Sequence, residues 1–112
     1  MARYQYVVMT NPVEGREAEY NDWYTNTHLR EVTAVPGFKS AVRYKVVPRA
    51  KAAFIPKQRY LALYEIETDN PEEVLAELSR RSGAGQMAMS TALDRSNTTA
   101  VLYELVSEYK PR

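Results

Sequence analysis

Asn21-Asp22-Trp23-Tyr24-Thr25-Asn26-Thr27-His28-Leu29-Arg30-Glu31, followed by Val35-Pro36-Gly37-Phe38, is the stretch on which the reading of this chain turns. Tyr20, Trp23, Tyr24, His28 and Val32 recur at spacings of three and four, which fits one face of an amphipathic helix running from about Glu14 to Val32. Pro36 and Gly37 are breakers and close it. Ahead of it, Tyr4 to Thr10 is rich in β-formers and stops at Asn11-Pro12. Behind it, Phe38 to Val47 alternates as a second strand, and Ala41-Val42-Arg43-Tyr44 lies inside that run.

The pattern then repeats. Pro48 to Gln58 reads as a long basic loop and Arg59 to Glu67 as a third strand. Asn70-Pro71-Glu72-Glu73 is a helix start, with a cap residue, a proline at the first position and acids in the first turn. That helix buries Val74, Leu75 and Leu78 and ends near Gly83. Gln86 to Leu93 has room for a further helical turn or two, and Thr98 to Ser107 is a fourth strand. The order β-α-β-β-α-β predicts an α+β, ferredoxin-like fold: a four-stranded antiparallel sheet with both helices on one face. At 112 residues the chain suits a single domain over 1–112, with no linker, internal repeat or low-complexity tract.

Both faces of that sheet are largely apolar. Strand 1 offers Val7 and Met9 on one side and Tyr4, Tyr6 and Val8 on the other; strand 3 offers Leu61 and Leu63 against Tyr60, Tyr64 and Ile66. Two helices cover one face, so the other predicts pairing with a second copy, a homodimer. The composition, 45% apolar and 26% charged with net charge +1, is ordinary for a globular chain and argues against bulk electrostatic binding of nucleic acid. No apolar run approaches the ~20 residues of a membrane span, and the N-terminal residues lack a signal-peptide core. The expectation is a cytoplasmic protein that binds neither nucleic acid nor membrane.

His28 is the one histidine, and there is no cysteine. Disulfide and thiolate chemistry are excluded, a metal site of the usual kind is not expected, and no phosphate loop or nucleophile elbow is present. One histidine could ligate haem, but nothing else in the chain points there. His28 is the candidate acid or base, one turn beyond Tyr24. A hydrogen-bonded structural histidine near a helix C-terminus is the plainer account of the same spacing. Nine tyrosines, most of them in predicted strands, supply rings with polar tips that suit a pocket wall as well as a sheet. The stretch from Val32 to Tyr64 carries seven bases and no acid, so Arg43 could meet an anionic ligand, and Phe54-Ile55 in the basic loop could cover a pocket.

The Trp23-Tyr24, His28-Leu29 and Pro36-Gly37-Phe38 pairings together resemble the EthD-like branch of the dimeric α+β barrel proteins, with the match strongest over about residues 10 to 47. The resemblance implies a homodimer whose sheets pack face to face, with a pocket between helices and sheet into which His28 points. The wider superfamily includes cofactor-free monooxygenases, cyclases, isomerases, dehydratases and haem-using enzymes. Many relatives carry an acid just before the histidine; Thr27 stands there in this chain, so any group that orients His28 must come from elsewhere. The leading reading is a cofactor-independent, metal-free enzyme of lyase, isomerase or cyclase type acting on an aromatic or polyketide-like molecule. His28 and Tyr24 would be catalytic, and Trp23, Tyr6, Arg43, Tyr44 and Tyr64 would bind the substrate. The alternative is a non-catalytic binding or accessory protein of the same fold.

Overall fold

A computed structural model of the chain describes residues 1–51 and 54–112. Strands β1 (Ala2–Thr10), β2 (Phe38–Lys45), β3 (Tyr60–Thr68) and β4 (Thr99–Glu104) form one antiparallel sheet in the order β2-β3-β1-β4. On the helix side lie α1 (Glu17–Trp23), a π-helical turn (Tyr24–His28), α2 (Leu29–Thr33) and α3 (Pro71–Gly83). The expected β-α-β-β-α-β order holds, and the fold is ferredoxin-like.

The register explains the two-faced sheet. Pairing sets Val42, Leu63, Val7 and Val101 side by side across all four strands, with Tyr44, Leu61, Met9 and Thr99 in the next such row. Residues of the other parity, such as Ala41, Tyr64, Tyr6 and Leu102, form rows beneath the helices. Tyr20, Tyr24, Val32, Tyr64, Ile66 and Ala92 are buried there and make the core with Val35, Phe38 and Val74. The outer face is uncovered, with Val42, Tyr44, Val101, Tyr103 and Leu105 exposed.

The helix ends follow the local chemistry. Asn70 caps α3, its side chain accepting from the Glu73 N–H at 3.2 Å; Pro71 opens the helix, and Arg80 and Arg81 stand in its last turn. Gly37 has φ of 103°, and a Cβ placed there would meet Val74 Cγ2 of α3 at 2.7 Å, so backbone shape and helix packing both call for glycine.

Three expectations are corrected. The first helical run is not uniform. It widens at Tyr24–His28 into a π turn, in which the Leu29 N–H reaches back five residues to the Tyr24 carbonyl. Gln86 to Leu93 forms no helix, only a single hydrogen-bonded turn in which the Leu93 N–H donates to the Ser90 carbonyl. Gly85, with φ of 74°, ends helical backbone, and tertiary hydrogen bonds then hold the segment as an irregular strap. The Val13 N–H donates to the Ala92 carbonyl, Arg16 binds Thr91, and Leu93 bridges Pro12. Strands β2 and β4 also stop short of the predicted Val47 and Ser107.

Candidate functional site

The helical run, the strap and the sheet surround a half-open cavity of about 250 Å³. The sheet supplies Tyr6, Val8, Thr10, Tyr64, Thr98 and Ala100; the first helical run supplies Trp23, Tyr24, His28 and Val32; α3 supplies Leu78 and Ser82; and the strap closes it with Met87, Met89 and Leu93. Among the described residues no charged side chain lines it apart from what His28 can carry.

The π turn shapes the aromatic wall. Five residues separate Trp23 from His28, a spacing that an α-helix splays to different sides. The wider turn brings them onto one side, and their rings stack at 4.5 Å and 25°. Tyr24 meets the same imidazole edge-on at 5.0 Å and 87°. The Tyr64 hydroxyl lies 3.4 Å from that of Tyr24 across the cavity wall, and Tyr6 tilts against the Tyr64 ring at 6.4 Å.

Burial sets the protonation states. The His28 imidazole is pushed down to about 4, first by loss of water and then by the positive charge of Arg43. Burial pushes Tyr24 up to about 12, and it raises Tyr64 further. At neutral pH the site therefore holds a neutral imidazole and neutral phenols. His28 Nδ1 is buried and finds no hydrogen-bond partner among the described residues. An orphaned N–H costs more than an orphaned lone pair, so the proton belongs on Nε2. The neutral ring is then a hydrogen-bond donor.

The structure gathers five of the seven proposed site residues: His28, Tyr24, Trp23, Tyr6 and Tyr64 all line the cavity. Two do not join them. Tyr44 pairs with Leu61 on the outer face and is 53% exposed, because the register gives it the parity opposite to Tyr64 and Tyr6. Arg43 points toward the helices but stays behind the wall. Its guanidinium lies 4.4 Å over the Tyr24 ring and donates to Thr25 Oγ1 at 2.8 Å and Asn21 Oδ1 at 2.9 Å, so it supports the wall from behind. The described part of the basic loop does not line the cavity. Phe54 and Ile55 are 77% and 55% exposed, and Ala52 and Ala53 of the same loop lie outside the described residues. The strap provides the cover instead.

Sequence reasoning missed Met87, Met89, Leu78 and Ser82. Val8 and Thr10 were reachable, since they share the parity of Tyr6 on β1. The two strap methionines carried no periodic signal, because the strap has no regular backbone.

No protein-family model matches the sequence, and no curated protein matches it. Solved structures do. An EthD-like protein from Ralstonia eutropha superposes with a TM-score of 0.66 at 17% identity, covering 100% of this chain and 99% of that one. An EthD family protein from Bacillus halodurans gives a TM-score of 0.60 at 20% identity, over 95% and 100% of the two chains. This chain has the EthD-like fold. The heme-degrader MhuD from Mycobacterium tuberculosis, solved with two hemes bound in its active site, superposes on the same EthD-like frame with a TM-score of 0.66 at 13% identity, over 96% and 99%.

Proposed function

We propose that the cavity binds a small, uncharged, one- or two-ring ketone or phenol and that His28 promotes proton transfer at its oxygen. The observation that carries the reading is the place of His28, its Nδ1 buried and without a partner among the described residues, in the wall of a cavity whose described lining holds no Asp, Glu, Lys or Arg; burial keeps that imidazole neutral at neutral pH. A cavity of ~150 Å³ accepts benzene, so 250 Å³ suits one or two fused rings. The uncharged lining favours a neutral ligand over the anionic one that Arg43 suggested. We take the ligand to be smaller than haem: the macrocycle is large beside this space, and among the described residues no Lys or Arg in the lining would meet its carboxylates.

The chemistry is that of a neutral imidazole acting as an electrophile. Nε2–H donates to a carbonyl oxygen and makes the neighbouring C–H acidic. Nε2–H stabilises the oxygen by hydrogen bonding as charge develops there; a water takes the carbon-bound proton and passes it to the enolate oxygen, so that the imidazole stays neutral and the water is restored. Tyr24, a phenol that burial keeps protonated, is a second donor to the same oxygen. Lyase, isomerase and cyclase steps on carbonyl compounds with an α C–H can each start from this enolisation. A non-catalytic binding role is the second reading. It is favoured by the low basicity of His28 and by the missing carboxylate at Thr27.

1-Tetralone, a neutral bicyclic ketone, tests both. It should quench the fluorescence of Trp23, the one tryptophan, in a saturable way, whereas 1-naphthoate should not bind. In D2O the protein should exchange the α-hydrogens of 1-tetralone, and His28→Ala should slow that exchange by ~10²–10⁴-fold with the fold intact. Saturable binding without exchange would leave the binding reading standing; no binding would remove both.

A further inference from the structure

We propose that Trp23 is a positioning residue that couples the strap over the cavity to the orientation of His28. It touches both. One face of its indole stacks on the imidazole at 4.5 Å, and its Nε1–H donates to the Ala88 carbonyl of the strap at 2.5 Å. The same strap residue is held a second time, by the Ala88 N–H donating to Glu31 Oε1 at 3.0 Å. Trp23 closes α1 and Glu31 sits in α2, so the two anchors flank the π turn that carries His28.

The coupling follows from what His28 lacks. Its Nδ1 has no hydrogen-bond partner among the described residues, so no polar contact there fixes the ring. Its direction rests on the Trp23 face and the Tyr24 edge. Tyr24 is itself held by the Arg43 guanidinium behind it, which leaves Trp23 as the support tied to a mobile-capable element. The strap fits that description: it follows Gly83-Ala84-Gly85, has no regular secondary structure from Gln86 to Ser90, and presents Met87 and Met89, flexible side chains, to the cavity. Moving the strap outward to widen the half-open mouth for a ligand would break the indole hydrogen bond and free the stacked pair. Closing it would restore the histidine to its working direction. The wall that narrows the cavity is thereby also the one that aims its donor.

The inference rests on the cavity reading above, but it is tested without any ligand, so the two can fail separately. Amide hydrogen exchange reads the strap, and NMR titration of the one histidine reads His28. The other titratable groups around that ring are Tyr6, Tyr24 and Tyr64, with the Arg43 guanidinium on β2. Glu31→Ala cuts one anchor and leaves the tryptophan in place. It should speed exchange at the hydrogen-bonded Gln86 and Leu93 amides at either end of the strap about tenfold or more, shift the Trp23 indole proton, and raise the His28 midpoint toward the ordinary histidine value as water enters. Trp23→Phe keeps a ring and removes the N–H; it should do the same to the strap and raise the His28 midpoint further. Adding Glu31→Ala to Trp23→Phe should then move His28 little more, because the connection has already been cut. Faster strap exchange in Glu31→Ala with an unmoved His28 titration would overturn the coupling. So would strap exchange in Trp23→Phe equal to that of the parent protein.

Discussion

His28 illustrates how one buried ring can link a cavity to the stability of the whole chain. Its ordinary value of 6.5 falls to about 4 in the folded state, chiefly through burial. Between those two pH values the unfolded chain carries a proton on His28 that the folded chain does not, so acid favours unfolding across that window. Stability should therefore be full above pH 6.5, fall as pH drops toward 4, and receive no further loss from this group below that. The span corresponds to on the order of 3 kcal/mol. Urea unfolding at pH 7 and pH 4.5 measures it, and His28→Asn should flatten the difference. Glu17 and Asp94, whose carboxyls are held below the usual range by hydrogen bonds from Tyr60 and Ser96, lose their contributions at lower pH. Most of the residue-level reading was available beforehand: the helix spacing placed Tyr24 and His28 on one wall, and strand parity placed Tyr6 and Tyr64 opposite. Arg43 and Tyr44 were adjacent in sequence and could not both face the cavity; neither lines it, because the register turned Tyr44 outward and the Tyr24 ring stands over Arg43.

At the scale of the element, the π turn is the feature that spacing could not show. Hydrophobic periodicity is almost unchanged by one widened turn, yet that turn decides which ring touches His28. Regular α-helix would set Tyr24 beneath the histidine and leave Trp23 to the side. The π turn stacks Trp23 on it and leaves Tyr24 at its edge. The joint between the first helical run and β2 was easier to read, since Pro36-Gly37 announced a sharp stop. Gly37→Ala should cost about 2–4 kcal/mol, from a left-handed backbone carrying a Cβ and from the clash with Val74. Chemical denaturation measures the loss. Combining it with Val74→Ala should relieve the clash and leave the backbone part, apart from the cavity that the second change itself creates.

The whole molecule is a thin slab, 43 × 40 × 23 Å, with a radius of gyration of 15.2 Å against the ~13 Å of a compact chain this long. Among the described residues no helix is long and apolar enough to cross a membrane. The outer sheet face is the part of the slab without cover, and the rows through Val7 and Met9 give it an apolar centre rimmed by Arg3, Gln5 and Glu65. We propose that a second copy covers it. Sedimentation equilibrium at micromolar concentration should give twice the 12.8 kDa chain mass. Val7→Lys, which puts a charge in the middle row, should return the monomer mass with the sheet still formed by circular dichroism. A soluble parent monomer would defeat the proposal.

What the sequence determined by itself was the order of elements, their faces and the residues with the right chemistry. Each of these depends on local rules: a cap before a helix, breakers after it, alternation along a strand, three-and-four spacing on a helix. The tertiary structure decided which of those residues meet. Register between strands turned Tyr44 away from Tyr64, and one widened helical turn placed Trp23 against His28. An irregular strap without any periodic signal became the cover of the cavity, because its shape is held by hydrogen bonds to Trp23, Glu31, Arg16 and Val13, residues far from it along the chain. Contacts between distant segments depend on how whole elements pack, and no local pattern of residues encodes that.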